Sequence, residues 1–261
     1  MNSAPSVVKA YLEKKAEILA PPIKGRPKCL RCRKPLVTCY CSDVAPISPP
    51  LKIVILMHPL EERHPVGTGR MAHQCLKNSE MMVGIDFQDH TRLAQLIDDP
   101  QYFPLLLFPG PQSVNLSQHE PAQQKTFVPD GKIPLVILLD GTWHLAKKIL
   151  HMTRKLQILP RICFSLNKLS GFIVRKQPHP HCFSTIEAIH EVLELLSPED
   201  YKATRAHDML LQVFTAMVSK QLGYRALQRG RHNSGYHARK ARRLRHREQK
   251  ASAVARQAAL K

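Results

Sequence analysis

Two groups of residues carry chemistry in their types and spacing alone. Cys29-Leu30-Arg31-Cys32 is followed by Cys39-Tyr40-Cys41, a C-x2-C-x6-C-x-C pattern with four thiols inside 13 residues. Thiolates that close wrap one tetrahedral ion, and all-cysteine ligation favours zinc. Four protein ligands leave no open coordination position, so the expected role is structural. The other reading of the same residues is four reduced thiols in a loop. Arg26, Lys28, Arg31, Arg33 and Lys34 flank the cysteines and are expected to lower their pKa values. Cys75, Cys163 and Cys182 are scattered and read as small buried hydrophobes.

The second group begins at Asp140-Gly141-Thr142-Trp143, directly after the apolar stretch ending at Leu139. A carboxylate at such a junction either caps the following helix or accepts a proton from a ligand. Trp143, the only tryptophan, either packs in the core or stacks against a ring. Ser184-Thr185-Ile186-Glu187 fits a capping box, in which serine and glutamate satisfy each other's backbone amides. Upstream, Ser170–Lys176 is loop-like and ends in the cations Arg175 and Lys176. His58-Pro59-Leu60-Glu61 precedes Gly67-Thr68-Gly69-Arg70, whose glycines let backbone amides approach an anion. The prolines and close spacing of His179-Pro180-His181-Cys182 favour an exposed loop over a metal site. No G-x-G-x-x-G or Walker lysine motif is present, so the familiar nucleotide-binding loops are unsupported.

These residues need a scaffold, and the hydrophobic pattern predicts one. Strands are expected at Leu51–Met57, Glu80–Asp86, Pro104–Phe108, Ile133–Leu139 and Arg161–Leu166. Helices are expected at Thr68–Lys77, Thr142–His151, Ser184–Leu196 and Tyr201–Leu222, with a polar loop over Ser113–Gly131. Short buried strands alternating with helices predict an α/β domain with a mainly parallel sheet. Ligands collect at the carboxyl ends of such strands, here His58, Phe108-Pro109-Gly110 and Asp140. Before this body, Val7, Val8, Tyr11, Leu12, Ile18 and Leu19 form an amphipathic helical pattern that Pro21-Pro22 ends. The expected organisation is an N-terminal helix (1–22), a cysteine knuckle (23–48), an α/β catalytic domain (49–222) and a basic tail (223–261).

Charge narrows the partner. The chain has 261 residues and a formal charge of +19. Residues 220–261 hold 13 Lys+Arg and one acid, a net +12, which leaves +7 for the rest. Such an excess implies a polyanionic partner, most simply nucleic acid. The run Arg239–Arg247 is nearly continuous positive charge. It repels itself until phosphates screen it, and it reads no bases. The longest apolar run, Ile133–Leu139, is interrupted by Pro134 and falls far short of the roughly 20 residues of a membrane span. No apolar stretch follows Met1, so no secretory leader is expected and a cytoplasmic location is. No obligate protein partner is implied.

Taken in order, these segments resemble the DTW-domain family, named for an Asp-x-Thr-Trp element present here as Asp140-Gly141-Thr142-Trp143. The resemblance runs from Cys29 to about Leu196. It takes in the cysteines, His58-Pro59-x-Glu61, Thr68-Gly69-Arg70, Phe108-Pro109-Gly110, Arg175-Lys176 and Ser184–Ala188. It implies a tRNA-uridine aminocarboxypropyltransferase using S-adenosylmethionine, with kinship to the SPOUT class and its knotted cofactor loops. On that reading Asp140 is the base that takes the N3 proton of uridine. Phe108, Pro109, Gly110, Leu139, Thr142, Trp143, Ser184, Thr185 and Glu187 would shape the cofactor site. His58, Glu61, Thr68, Arg70, Arg175 and Lys176 would meet the substrate, with Arg175 holding an RNA phosphate or the cofactor carboxylate. The chain departs from the family after Gly110, where Pro111-Gln112-Ser113 replace the usual acidic and small residues. A role for an acidic side chain in that loop therefore does not carry over. Other readings are an S-adenosylmethionine-dependent RNA methyltransferase, an aminocarboxypropyltransferase acting on ribosomal RNA, and a non-catalytic zinc-containing RNA-binding protein. Deletion of residues 230–261 should lower tRNA affinity and flatten its salt dependence while S-adenosylmethionine affinity is unchanged. Binding titrations at several salt concentrations check this, and an unchanged slope would show that the tail does not clamp phosphate.

Overall fold

A computed structural model describes residues 27–118, 127–165, 168–179 and 181–227. The predicted N-terminal helix and nearly all of the basic tail lie outside these residues. The body is a six-stranded sheet of β1 (Lys52–Met57), β2 (Ser79–Val83), β3 (Tyr102–Leu107), β4 (Val114–Asn115), β5 (Ile133–Asp140) and β6 (Arg161–Cys163). Its order is β2-β1-β5-β3-β6-β4 and every pairing is parallel. The helices are α1 (Pro59–Glu62), α2 (Gly69–Cys75), α3 (Thr91–Asp98), α4 (Trp143–Met152), α5 (Arg154–Gln157), α6 (Thr185–Leu196), α7 (Glu199–Ala203) and α8, over 208–227. The α/β expectation holds. No described helix is long and apolar enough to cross a membrane.

The strands read as unbroken apolar runs because both faces of the sheet are covered. Successive side chains point to opposite faces. Ile53, Ile55, Val136 and Leu138 accordingly join a core with Met71 of α2, Ile186, Ile189 and Val192 of α6, and Val213 of α8. Their neighbours Val54, Leu56, Leu135 and Ile137 join the opposite core with Leu93 of α3, Ile149 of α4 and Leu156 of α5. Pro104 is tolerated inside β3 because β6 pairs only with Leu106 and Leu107, leaving that flank of the strand open.

Several boundaries differ from expectation for local reasons. The predicted helix Tyr201–Leu222 is broken: α7 ends at Ala203 and Arg205 takes a left-handed φ of 53° before α8 begins. The expected loop Ser113–Gly131 contains β4 and a short 3-10 turn at Leu116–Gln118, where Leu116 is fully buried. The strand begun at Arg161 ends at Cys163 because only β3 and the two-residue β4 flank it. Helix α3 lacks a standard cap; His90 Nδ1 accepts from Leu93 N at 3.3 Å in its place. Of the three scattered cysteines, Cys75 is fully buried as expected, whereas Cys163 and Cys182 are partly exposed at the sheet's carboxyl edge.

The carboxyl ends of β1, β5 and β3 are adjacent, and Met57 stands opposite Asp140 in register. Beyond that pair, His58 N donates to Asp140 O at 2.9 Å. Helix α2 closes over this corner at Gly69, where a Cβ would lie 2.3 Å from Asp140 Oδ2 and 3.0 Å from Met57 Cε. Only glycine allows so close an approach to a buried carboxylate. Gly69→Ala should therefore displace α2 or the carboxylate, costing about 1–3 kcal/mol by overpacking. Denaturant unfolding checks this; a wild-type midpoint would show that the corner relaxes freely.

Candidate active site

Asp140 ends the central strand and is only 2% exposed. It does not cap the following helix: Thr142 does, its Oγ1 accepting from Leu145 N at 3.4 Å. One carboxylate oxygen of Asp140 accepts from Thr185 Oγ1, at the first position of α6. The other is buried and has no hydrogen-bond partner among the described residues. Burial raises the Asp140 pKa from 3.8 to about 6, and the neighbouring Glu61 charge pushes the same way. The Thr185 bond, Arg175 and Lys34 oppose it. A carboxylate that titrates near neutrality and keeps an uncommitted oxygen is chemically suited to accept a proton.

A ring of charge surrounds it. Glu61, buried in α1, forms a two-pronged ion pair with the Arg175 guanidinium, one prong being Nη2 to Oε2 at 2.9 Å. That pairing joins residues 114 positions apart and uses the fork expected to face a ligand. Lys34 comes up from the cysteine knuckle, buried, and donates to His64 O at 2.6 Å. Burial lowers its pKa to about 8, and its charge is felt at both Glu61 and Asp140. Sequence patterning placed Lys34 only as a flank of the cysteines, because nothing local shows that it turns inward.

The loop carrying Arg175 is fixed by Glu187. Its carboxylate accepts from Ser184 N at 2.7 Å, Gly171 N at 2.8 Å and Ser170 Oγ at 2.8 Å, with Ser184 Oγ at 2.6 Å. The expected reach of Glu187 back to the helix start is present, and the same side chain also holds a distant loop. Its oxygens are thus committed to protein, and it does not line the cleft.

The cleft has two adjoining lobes. The polar lobe, about 360 Å3, is lined by Thr68, Asp140, Thr142, Arg175, Lys176, Ser184 and Thr185, with Phe172 and Gln177. The other, about 320 Å3, is lined mainly by Phe108, Pro109, Leu139, Trp143, Phe164 and Phe183. Trp143 is 43% exposed and belongs to both lobes, its ring edge-on to Phe108 at 5.8 Å. It is therefore a wall of the cleft and not core. Lys176 is exposed at the mouth and makes no ion pair among the described residues. Gly110 stands just outside, in a turn where Ser113 Oγ accepts from its N at 3.0 Å. His58 is buried as the cap of α1, Nδ1 accepting from Leu60 N at 3.2 Å, and its burial lowers its pKa. Arg70 pairs with Glu62 at 2.9 Å, so His58 and Arg70 stand behind the cleft wall. Phe172 and Phe183 sit in loops, where isolated aromatics carry no periodic signal, and Phe164 lies just past the end of β6, where the strand was expected to continue. His179 and His181 lie exposed, as their prolines suggested.

The four cysteine sulfurs converge, all within 4.8 Å of one another, with Cys29–Cys41 and Cys32–Cys39 at 3.7 Å. A tetrahedral tetrathiolate site with metal–sulfur bonds of about 2.3 Å has edges of about 3.8 Å, so the donors fit one such ion. Thiolate character at Cys29 comes from backbone amides of Cys32 and Arg31, which lower its pKa to about 6. The flanking cations expected to do this play no leading part, and burial raises Cys32 and Cys41. The knuckle docks on the site's helices. Arg33 pairs with Glu62 at 2.5 Å, Gln74 Nε2 donates to Arg31 O at 2.8 Å, and Lys220 of α8 donates to Cys39 O at 3.0 Å.

A tRNA-uridine aminocarboxypropyltransferase 2 of Drosophila melanogaster is 33% identical over 186 residues, covering 69% of this chain and 70% of its own. A protein of the same name from Macaca fascicularis is 26% identical over 216 residues, covering 80% of this chain and 68% of its own. No solved structure matches the chain. The family model described as DTW domain matches residues 26–222, from the knuckle through most of α8. With the Asp140–Trp143 element forming the heart of its cleft, the chain belongs to the DTW domain family.

Proposed function

We propose that this protein is a tRNA-uridine 3-(3-amino-3-carboxypropyl)transferase that uses S-adenosylmethionine. The relatives' names support the reaction class. The observation that carries the chemistry is Asp140 at the wall of the polar lobe, one carboxylate oxygen held by Thr185 and the other, packed against Gly69 of α2, without a hydrogen-bond partner among the described residues. The lobes suit the two halves of S-adenosylmethionine. The lobe of Phe108, Leu139, Trp143 and Phe183 offers apolar and aromatic walls for a purine, and the polar lobe offers the hydroxyls of Thr68, Thr142 and Ser184 for the methionine half.

When bound, S-adenosylmethionine supplies a sulfonium leaving group. In the transfer a bond forms between uridine N3 and the γ-carbon, the carbon–sulfur bond breaks, and its electron pair leaves with methylthioadenosine. The protein has two tasks. It must remove the N3 proton, which falls to Asp140, and it must present one carbon in line so that the methyl group is not transferred. The Glu187-held loop and the Glu61–Arg175 pair fix the lobe that would do this. Lys176, free at the mouth, meets the RNA backbone. The knuckle holds zinc and, through Arg33 and Lys34, steadies α1 and the turn that follows it.

Nucleosides of tRNA incubated with protein and S-adenosylmethionine should gain the aminocarboxypropyl mass on uridine, with methylthioadenosine released. A methyl mass with S-adenosylhomocysteine would establish methyl transfer instead, and RNA affinity with no S-adenosylmethionine binding in calorimetry would establish a non-catalytic RNA-binding protein.

Asp140→Asn should lower turnover by about 100-fold or more while S-adenosylmethionine still binds. The wild-type rate should fall as pH drops through about 6, as the base protonates, and the variant should lose that limb. Stability should move the other way. The folded-state pKa lies above the unfolded value of 3.8, so the ionised carboxylate opposes folding increasingly from there to about 6 and fully above. The penalty is on the order of 3 kcal/mol. Asp140→Asn should therefore melt higher than wild type at pH 8 and no higher at pH 4. A variant with normal turnover would remove Asp140 from the chemistry.

A further inference from the structure

A second cluster of metal-binding side chains lies away from the cleft, where the C-terminal half of α6 meets the start of α8. His190 and Glu194 are one turn apart on α6 and share a face. His207 and Asp208 are consecutive, at the turn that opens α8. Both imidazoles are buried, His207 completely, with ring centroids 4.9 Å apart. His190 Nε2 is 3.1 Å from Asp208 Oδ1, and His207 Nε2 is 3.9 Å from the same oxygen. His207 Nε2 is also 2.5 Å from Glu194 Oε2. None of these groups lines the cleft.

The spacing is that of donors around one ion. Nitrogen and oxygen ligands about 2.1 Å from zinc stand about 3.4 Å apart at tetrahedral angles, a value the 3.1 and 3.9 Å separations bracket. The outer shell is built as well. His190 Nδ1 has no hydrogen-bond partner among the described residues and lies 3.5 Å from Glu191 Oε1. A carboxylate there is what orients a metal-ligating histidine. Arg205 donates to the carboxylates of both Asp208 and Glu194, at 2.8–3.2 Å, holding the two acids in place. Three carboxylates, counting Glu191, face two cations, Arg205 and Lys168, so one negative charge is left over. The Asp208 and Glu194 side chains are 32% and 37% exposed, which provides a way in for an ion.

We propose that His190, His207 and Asp208, whose donor atoms all lie within 4.8 Å of one another, bind a divalent transition-metal ion, zinc by their imidazole and carboxylate chemistry, clasping α6 to α8. The Glu194 contact with His207 Nε2 opens when the ion takes that nitrogen. The clasp would brace α6, whose first residue holds Asp140, against the helix that also anchors the knuckle.

Elemental analysis of the purified full chain, dialysed against zinc and then buffer, should give two equivalents per chain. Cobalt substitution separates them. The tetrathiolate site shows intense near-ultraviolet sulfur-to-cobalt charge transfer, and the imidazole–carboxylate site shows only visible d–d bands. His207→Gln and Asp208→Asn should each remove the second equivalent and spare the charge-transfer band. Cys29→Ser with Cys32→Ser should do the reverse. Glu191→Gln should weaken the second site about 10–100-fold. Should His207→Gln fail to fold, Asp208→Asn, on the outer side, carries the same test. A single equivalent with only thiolate bands would show a cluster closed by a shared proton and overturn the proposal. A second equivalent that survives Asp208→Asn would overturn it too.

Discussion

The site depends on one buried contact, the hydrogen bond from Thr185 to the carboxylate of Asp140. A carboxylate taken out of water at the end of a central strand is costly, and it is retained only if some neighbour favours its charge. Thr185 supplies part of that compensation, and it does so from the start of α6, 45 residues away in sequence. The bond therefore sets where α6 begins relative to the sheet. The rest of the compensation is incomplete: burial still dominates and the pKa stays raised. That residual imbalance leaves the carboxyl titrating near 6.

Around this contact, charge is arranged in pairs that tie loops together. Glu61 takes Arg175 from a loop far along the chain, and Glu187 takes the amide of Gly171 from the same loop. The two carboxylates thus fix both ends of a segment with no regular structure of its own. Two acids expected to meet ligands are instead committed to protein partners in that loop. The knuckle belongs to this scheme as well, since Arg33 reaches Glu62 of α1 and Lys34 the His64 carbonyl just past its end.

The parallel sheet explains why polarity concentrates where it does. With both faces packed against helices, the strands have no polar side to offer, and the chain changes character only at their carboxyl ends. His58, Phe108 and Asp140 lie at three such ends on adjacent strands. Only Asp140 and Phe108 line the cleft, because α1 folds over His58 and uses its ring as a cap.

The strands and the longer helices were legible because each carries its own periodicity, and the four cysteines were legible because chelation is a matter of short-range spacing. Asp140 could be picked out as the turning point between strand and helix, though not its role as cap or base. Thr142 does the capping, a choice that depends on backbone geometry three residues on. What lay beyond the sequence is every pairing between distant segments: Asp140 with Thr185, Glu61 with Arg175, Glu187 with Gly171, and Lys34 turned inward. The local pattern says which face of an element is apolar. It does not say which loop a buried charge will meet, because that partner is selected by the cost of leaving the charge unpaired once the sheet has closed.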